Sequence, residues 1–508
     1  MPDLPVVRST TRDIQLDVVV TDSAGRTVQN LSQSDFVVTE DGVEQQTHLL
    51  EAPQKAAPSA GARDGSATRA EATNGPSPQT TVNQRQRTLI LLDEVNISFL
   101  DLAFARNRLD VFLASTKAAD QAIALMALTD HKLVLIHDFS TDRAALRKAL
   151  RELPAVLPGT ANVAVDEYQD YANFTHAVSA LETIGRSLQG SPIRTNCIWI
   201  TSGFVTMAKL VNSPEVGANF EIIMEHTANL YLGARMSVYT VDPHGVQFET
   251  SLPSHEAQPG LLPPGGVLED NGAQFARQTT NLTSNSAVIN SLLNKLDERT
   301  GGRAYENQNF IDVPIGQALD DASGSYLLAY APRDRNFHGE YRHIHVELRT
   351  PGLHARTRDG YIATDRNKEN TASDVKAQLE RALESPLPYT GLQTSARLDR
   401  KGKHPVLHLT LTPDNIEWQT SVSGTGGVIA QAIAVEAYTK SGKPLYNRLY
   451  QVTTNRPDLQ SREALRYDLP FAMPAETARL RVAVMDQHGS RVGTTDVPPT
   501  DLTTSQQP

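Results

Sequence analysis

Asp93, Glu94, Asn96, Ser98 and Asp101 crowd one short stretch, DEVNISFLD. Carboxylate, amide and hydroxyl oxygens this close together suit two kinds of chemistry. One is a hard divalent cation such as Mg2+ or Ca2+, which takes oxygen ligands. The other is structural: short polar side chains accept hydrogen bonds from the backbone N–H groups that open a helix. Thr175, Ser202 and Asp242 add oxygen donors further along, Ser202 within Thr201-Ser202-Gly203 and Asp242 just before Pro243. Brought to one edge of one sheet, these residues would make a binding rim.

The elements that must position them can be read from the flanks. Leu89-Ile90-Leu91-Leu92 precedes the polar stretch, and Leu102, Ala105, Leu109, Phe112 and Leu113 follow it at helical spacing. A continuous apolar run fits a strand covered on both faces. In open α/β sheets, ligands gather at the carboxyl ends of such strands. Further strands are predicted at Gln121–Leu128, Lys132–Phe139, Asn196–Thr201 and Met236–Val241, with a short one at Gly302–Tyr305. Helices are predicted at Thr141–Leu153 (capped by Thr141), Phe174–Leu188, Phe220–Ala234, Ala287–Arg299 and Val313–Ala322. Such alternation implies crossovers and a largely parallel sheet. Residues 249–273, rich in Pro and Gly, read as a long loop.

Period-2 patterning lies on either side. Ile14, Leu16, Val18 and Val20 alternate with polar residues, and Asp41-Gly42 is a hairpin signal. Alternation returns at Ser325–Ala331, Arg342–Arg349 and Ala355–Tyr361, which are expected to pair with the first strands and complete a β-sandwich around the α/β segment. From Leu392 to Pro498 the pattern is again all-β. The expected division is 13–52 and 324–363 for the two parts of the first sandwich, 53–86 for a flexible linker and 87–323 for the α/β domain. A helical connection at 364–391, a C-terminal sandwich at 392–498 and a disordered tail at 499–508 complete it.

With 508 residues, 39% of them hydrophobic and 21% charged, the chain reads as folded material of several domains. A net charge of −11 argues against a general nucleic-acid binder. No apolar run reaches the ~20 residues that a transmembrane helix needs. One cysteine, Cys197, excludes an intrachain disulfide; inside an apolar strand it reads as inert packing. The histidines, among them the pair His343 and His345, show no zincin spacing, and neither a phosphate loop nor a nucleophile elbow is present. Asp166, Glu167 and Asp170 with Tyr168 and Tyr171 read as an acidic loop, a solvated one before a binding one.

A resemblance rests on several pieces in order: IQLDVVVTDSAGRTVQNLSQSDFVVTEDGVEQQ, LILLDEVNISFLDLAFARNRLDVFL, NCIWITSGF, LLNKLDERTGGRAY and SYLLAYAP with YRHIHVELRTPGLHARTRDGY. Together they resemble the VWFA-related proteins of Acidobacteria, whose central part is a von Willebrand factor A domain. The implied fold class is α/β plus all-β: a Rossmann-like von Willebrand factor A domain inserted in a β-sandwich and followed by a second sandwich. Such proteins are usually exported, so the resemblance implies an extracytoplasmic or secreted chain, with the cytoplasm as alternative. It also implies a cation site built on Asp-x-Ser-x-Ser, a Thr and a further Asp. Asp93 matches the first position, but Val95 and Ile97 stand where the serines belong, Ser202 replaces the last Asp, and Thr175 is a poor match for the Thr. The motif is degenerate, leaving at most a shifted site from Asp93, Asn96 and Ser98, with Asp242.

The leading expectation is a non-enzymatic protein-binding, adhesion or scaffolding protein without a cofactor. It would offer the rim of Asp93, Glu94, Asn96, Ser98, Asp101, Thr175, Ser202 and Asp242 to a protein partner. The alternatives are Mg2+- or Ca2+-dependent adhesion, and an enzyme at the same edge built from Asp93, Glu94, Asp242 and His244.

Overall fold

Leu89, Ile90, Leu91 and Leu92 are without exposed surface. Their strand, Gln86–Asp93, lies in the middle of a five-stranded sheet in a computed structural model of the chain. That structure describes residues 13–53, 86–115, 121–129, 132–154, 167–203, 214–243, 293–306, 310–364, 371–400, 405–413, 416, 418–420, 426–456, 461–488 and 490–498. Across the sheet the strands run Leu133–Ser140, Ala122–Leu128, Gln86–Asp93, Arg194–Ile200 and Met236–Val241.

The pleat sends alternate residues to opposite faces. Leu89 and Leu91 join Cys197, Trp199 and Val238 against the helices Glu167–Ser187 and Pro214–Ala234, which contribute Phe174, Leu181 and Met224. Ile90 and Leu92 join Ile198, Ile200 and Tyr239 against Phe99–Ala114, Arg143–Glu152 and Asp312–Ser323, with Leu109, Leu146 and Ile315. The central strand is therefore apolar throughout because both of its faces are covered.

The three pairings made by Ala122–Leu128, Gln86–Asp93, Arg194–Ile200 and Met236–Val241 are parallel. The outermost strand, Leu133–Ser140, pairs antiparallel. Its connection is short, residues 129–132, with Thr129 N–H donating to the Lys132 carbonyl at 3.0 Å. A connection that short cannot carry a crossover, so the strand must reverse.

The expected fold class is overturned. Among the described residues strand exceeds helix, 41% against 28%, and is divided among five separate small sheets beside seven helices, not gathered into a Rossmann-like von Willebrand factor A domain within a sandwich. The physical cause is the predominance of period-2 segments, which pair in small sets, some of them between stretches far apart in the chain such as Ile14–Thr21 and Ser325–Tyr330. The predicted strand at Gly302–Tyr305 shrinks to a single parallel bridge between Val241 and Tyr305. Asp142, not Thr141, caps Arg143–Glu152, accepting from Ala145 N–H. Of the predicted helix Ala287–Arg299, residues 293–300 are helical and the earlier part lies outside the described residues. So do 54–85 of the linker, 249–273 and the tail 499–508.

Two four-stranded sheets surround a core of Ile14, Leu16, Val18, Phe36, Leu328 and Val346. In the first, Ile14–Thr21 pairs antiparallel with Ser325–Tyr330; in the second, Phe36–Glu40 pairs with His338–Leu348. At Asp41-Gly42 both residues have positive φ, 48° and 79°, as a two-residue hairpin requires. Within this core Glu40 accepts from Tyr330 and Tyr361 hydroxyls, at 2.6 and 3.1 Å, and pairs with Arg342 at 3.1 Å. That buried charge is thus fully partnered.

C-terminal to the capped helix Ala372–Glu384, a three-stranded sheet and a five-stranded sheet enclose Leu407, Leu409, Ile433, Val435, Val482 and Val484. None of the described helices is long and apolar enough to cross a membrane.

Candidate functional site

Asp93 closes the central strand, and the pleat turns it to the Leu89 and Leu91 side. The strand register sets Leu91 beside Trp199 and Leu92 beside Ile200, so Trp199 and Thr201 reach the carboxylate from the neighbouring strand. Trp199 Nε1 and Thr201 Oγ1 each donate to Asp93 Oδ2 at 3.1 Å. Asn96 Nδ2 donates to both oxygens, at 3.0 and 2.9 Å, and Asn96 N–H to Oδ1 at 3.2 Å. Asp93 has no exposed surface and Asn96 only 7%. Burial pushes the Asp93 carboxyl up to about 6, against the opposing pull of the bonds from Asn96, Thr201 and Trp199.

Asp93 is therefore not part of an exposed rim. It is the acceptor that ties the loop after one strand to the next strand. Ser202 N–H, donating to the Asn96 carbonyl at 3.0 Å, completes the tie.

The other expected site residues serve local structure. Ser98 is the N-cap of Phe99–Ala114: its hydroxyl accepts from Asp101 N–H at 3.2 Å and donates to the Asp101 carboxylate. Glu94 is ion-paired with Arg106. Thr175 is exposed, its hydroxyl donating to the Ala172 carbonyl of its own helix at 2.8 Å. Asp242 is half-buried, and its N–H donates to the Tyr305 carbonyl at 3.0 Å. His244 and Asp166 lie outside the described residues, as do the side chains of Glu167, Tyr168 and Asp170.

These contacts do not fit a cation at the expected position. The Asn96 amide points hydrogen atoms at both Asp93 oxygens, Ser98 is engaged with Asp101, and Val95 and Ile97 carry no oxygen on their side chains. Nor do three His, Cys, Asp or Glu side chains come together to hold a metal among the described residues.

Ser202 and Asp242 do meet. With Thr201, Thr240, Asn294 and Glu306 they line a cavity of about 10 Å3, room for one water-sized group. Ser202 Oγ and Asn294 Oδ1 are buried without a hydrogen-bond partner among the described residues. The cavity's wall follows Gly302, whose close approach permits it: a Cβ there would lie 1.5 Å from the Val238 carbonyl oxygen.

Sequence reasoning missed Asp297. It is fully buried, accepting from Thr240 Oγ1 at 3.1 Å and Thr240 N–H at 3.4 Å, and burial raises its carboxyl well above the ordinary range. A signal existed: Leu293, Leu296, Asp297 and Thr300 share one helical stripe, so the charge falls on the apolar face. Cys197 is buried, and burial with the nearby Asp297 charge pushes its thiol up to about 12, as for inert packing.

No protein-family model matches the chain, and no curated protein does. Solved structures give partial matches. The solution structure of R. palustris CsgH shares 12% identity, over 22% of this chain and 95% of that one, at a TM-score of 0.16. The SpRpn10 VWA domain shares 14%, over 31% and 74%, at 0.19. The N-terminal domain of TFIIH p34 shares 14%, over 32% and 82%, at 0.20. All three are thus similar to parts of this chain at scores too low to assign it a family.

Proposed function

We propose that the chain is a non-enzymatic protein-binding module whose contact surface is the outer face of the helix Phe99–Ala114, beside the carboxyl edge of the central sheet. The reading is supported by the helix being apolar on both sides. Leu102, Ala105, Leu109 and Phe112 face the core, while Leu100, Phe104 and Val111 remain 77%, 37% and 49% exposed. Their positions fall on one line along the helix. A line of large apolar side chains facing water marks a surface that a partner covers. Ion pairs of Arg106 with Glu94 and Arg108 with Asp312 supply a polar border.

The test is capture from native extract by the immobilised chain, with cross-linking, beside a variant carrying Leu100→Asp and Phe104→Asp. Both side chains are exposed, so the circular dichroism spectrum should be unchanged. Proteins retained by the wild type should be lost with the variant; an identical retained set would refute the proposal. Retention should also survive a chelator, since both Asp93 oxygens already accept hydrogen bonds from Asn96. Loss on chelation would restore cation-dependent adhesion.

A further inference from the structure

The amino ends of the central strands border a different kind of space. Gln189–Pro192 leads into one strand and Gly233–Arg235 into the next. Against them lie Ile14 and Ile362 from the first pair of sheets, the helix Ala372–Glu384, and Tyr389 and Arg491 from the C-terminal region. Together they enclose a cavity of about 540 Å3, within the roughly 300–1,000 Å3 range of small-molecule sites.

Its charge is opposite to that of the chain. The protein carries −11, yet the cavity is lined by Arg186, Arg235, Arg381 and Arg491 against a single carboxylate, Asp13. Arg235 is engaged with Asp17 at 2.8 Å and is nearly buried. Arg186 makes only a loose pair with Glu182, at 3.4 Å. Arg381 is exposed, in the last turn of its helix. Both Arg186 and Arg381 lie close enough to Tyr389 to oppose the rise that burial imposes on its hydroxyl. A concave, partly desolvated space focuses such like charges. Ile14, Leu230 and Val492 add apolar wall.

We propose that this cavity binds a small organic anion, its oxyanion groups held by Arg186 and Arg381 and its body against the Tyr389 side. Guanidinium groups pair with carboxylate and phosphate alike, so the probe must distinguish the two. This site is separate from the helix face above, and either can fail alone.

The experiment is calorimetric titration of the full chain with citrate, a carboxylate probe, and with pyrophosphate, a phosphate probe. At least one should bind saturably at one site per chain. Arg381→Gln and Arg186→Gln should each weaken it by about tenfold, while Arg448→Gln, on an exposed strand elsewhere, should leave it unchanged. Thermal melts should show all three variants folded like the wild type. No saturable binding of either probe, or equal affinity in Arg381→Gln, would overturn the proposal.

Discussion

The two ends of the central sheet are built on opposite plans. At the carboxyl end, where polar residues gather in sequence, they satisfy one another: Asp93 takes Asn96, Trp199 and Thr201, and the remaining space holds one water-sized group. At the amino end, arginines from distant stretches face a cavity of about 540 Å3. A dense polar cluster in sequence thus became an internal joint, whereas dispersed charges became the open site. Proximity along the chain favours mutual satisfaction; separation brings arginines to one cavity from four different stretches, Arg235 among them already paired with Asp17.

The largest expected effect tests the joint. Asp93→Ala removes the acceptor for Asn96 Nδ2, Asn96 N–H, Trp199 Nε1 and Thr201 Oγ1. Each stranded donor costs about 1–3 kcal/mol, partly offset by relief of the buried charge, so a net loss of about 3 kcal/mol is expected. Urea unfolding followed by Trp199 fluorescence measures it. A loss under about 1 kcal/mol would show that the carboxyl end is not a structural joint.

The pH profile sharpens the same point. The folded-state value for Asp93 is about 6, above its ordinary 3.8. Between these values the folded chain holds a proton that the unfolded chain has released. Stability from this group therefore falls as pH rises from about 4 to about 6, by about 3 kcal/mol in all, and is level above that. Carboxyls held low, such as Asp110 through its hydrogen bond from Arg147, act in the opposite direction. The difference between wild-type and Asp93→Asn profiles isolates the Asp93 share; parallel profiles would contradict it.

Some of this was legible in the sequence. Leu89–Leu92 reads as a doubly covered strand because strand burial follows from an unbroken apolar run. Leu102, Leu109 and Phe112 declare the inner face of the next helix by their spacing, and Asp41-Gly42 declares its hairpin. The burial of Asp93 was not legible, since its cover comes from Trp199 and Thr201, over a hundred positions away and placed by strand register. Asp297 was legible in principle, as a charge on an apolar stripe. The arginine cavity was not, because no local pattern links Arg186, Arg381 and Arg491. The overall class was misjudged because the alternating centre was read as a Rossmann-like domain inserted in a β-sandwich, whereas among the described residues strand predominates and is divided among five small sheets.

A smaller effect is expected at Ser202. Its Oγ is buried without a partner among the described residues, and such a hydroxyl carries a desolvation penalty that no bond offsets. Ser202→Ala should therefore be neutral or stabilising, by up to about 1 kcal/mol, in the same urea assay. A loss of stability would show that the hydroxyl holds a bound group and would move the carboxyl end closer in kind to the amino end.

The smallest effect on stability belongs to the amino end. Arg381 is exposed, and Arg186 and Arg491 share its cavity. Removing one of several like charges relieves repulsion, and removing a cation from the last turn of a helix loses a few tenths of a kcal/mol from the helix dipole. These terms oppose each other, so Arg381→Gln should shift unfolding by less than about 0.5 kcal/mol. The contrast with Asp93→Ala is the sharpest form of the comparison: one acidic residue holds the fold at one end, while one basic residue at the other can be neutralised without the fold responding. If Arg381→Gln instead cost more than about 1 kcal/mol, the arginines would be supporting the junction between sheets. The amino end would then be a second joint and not an open site.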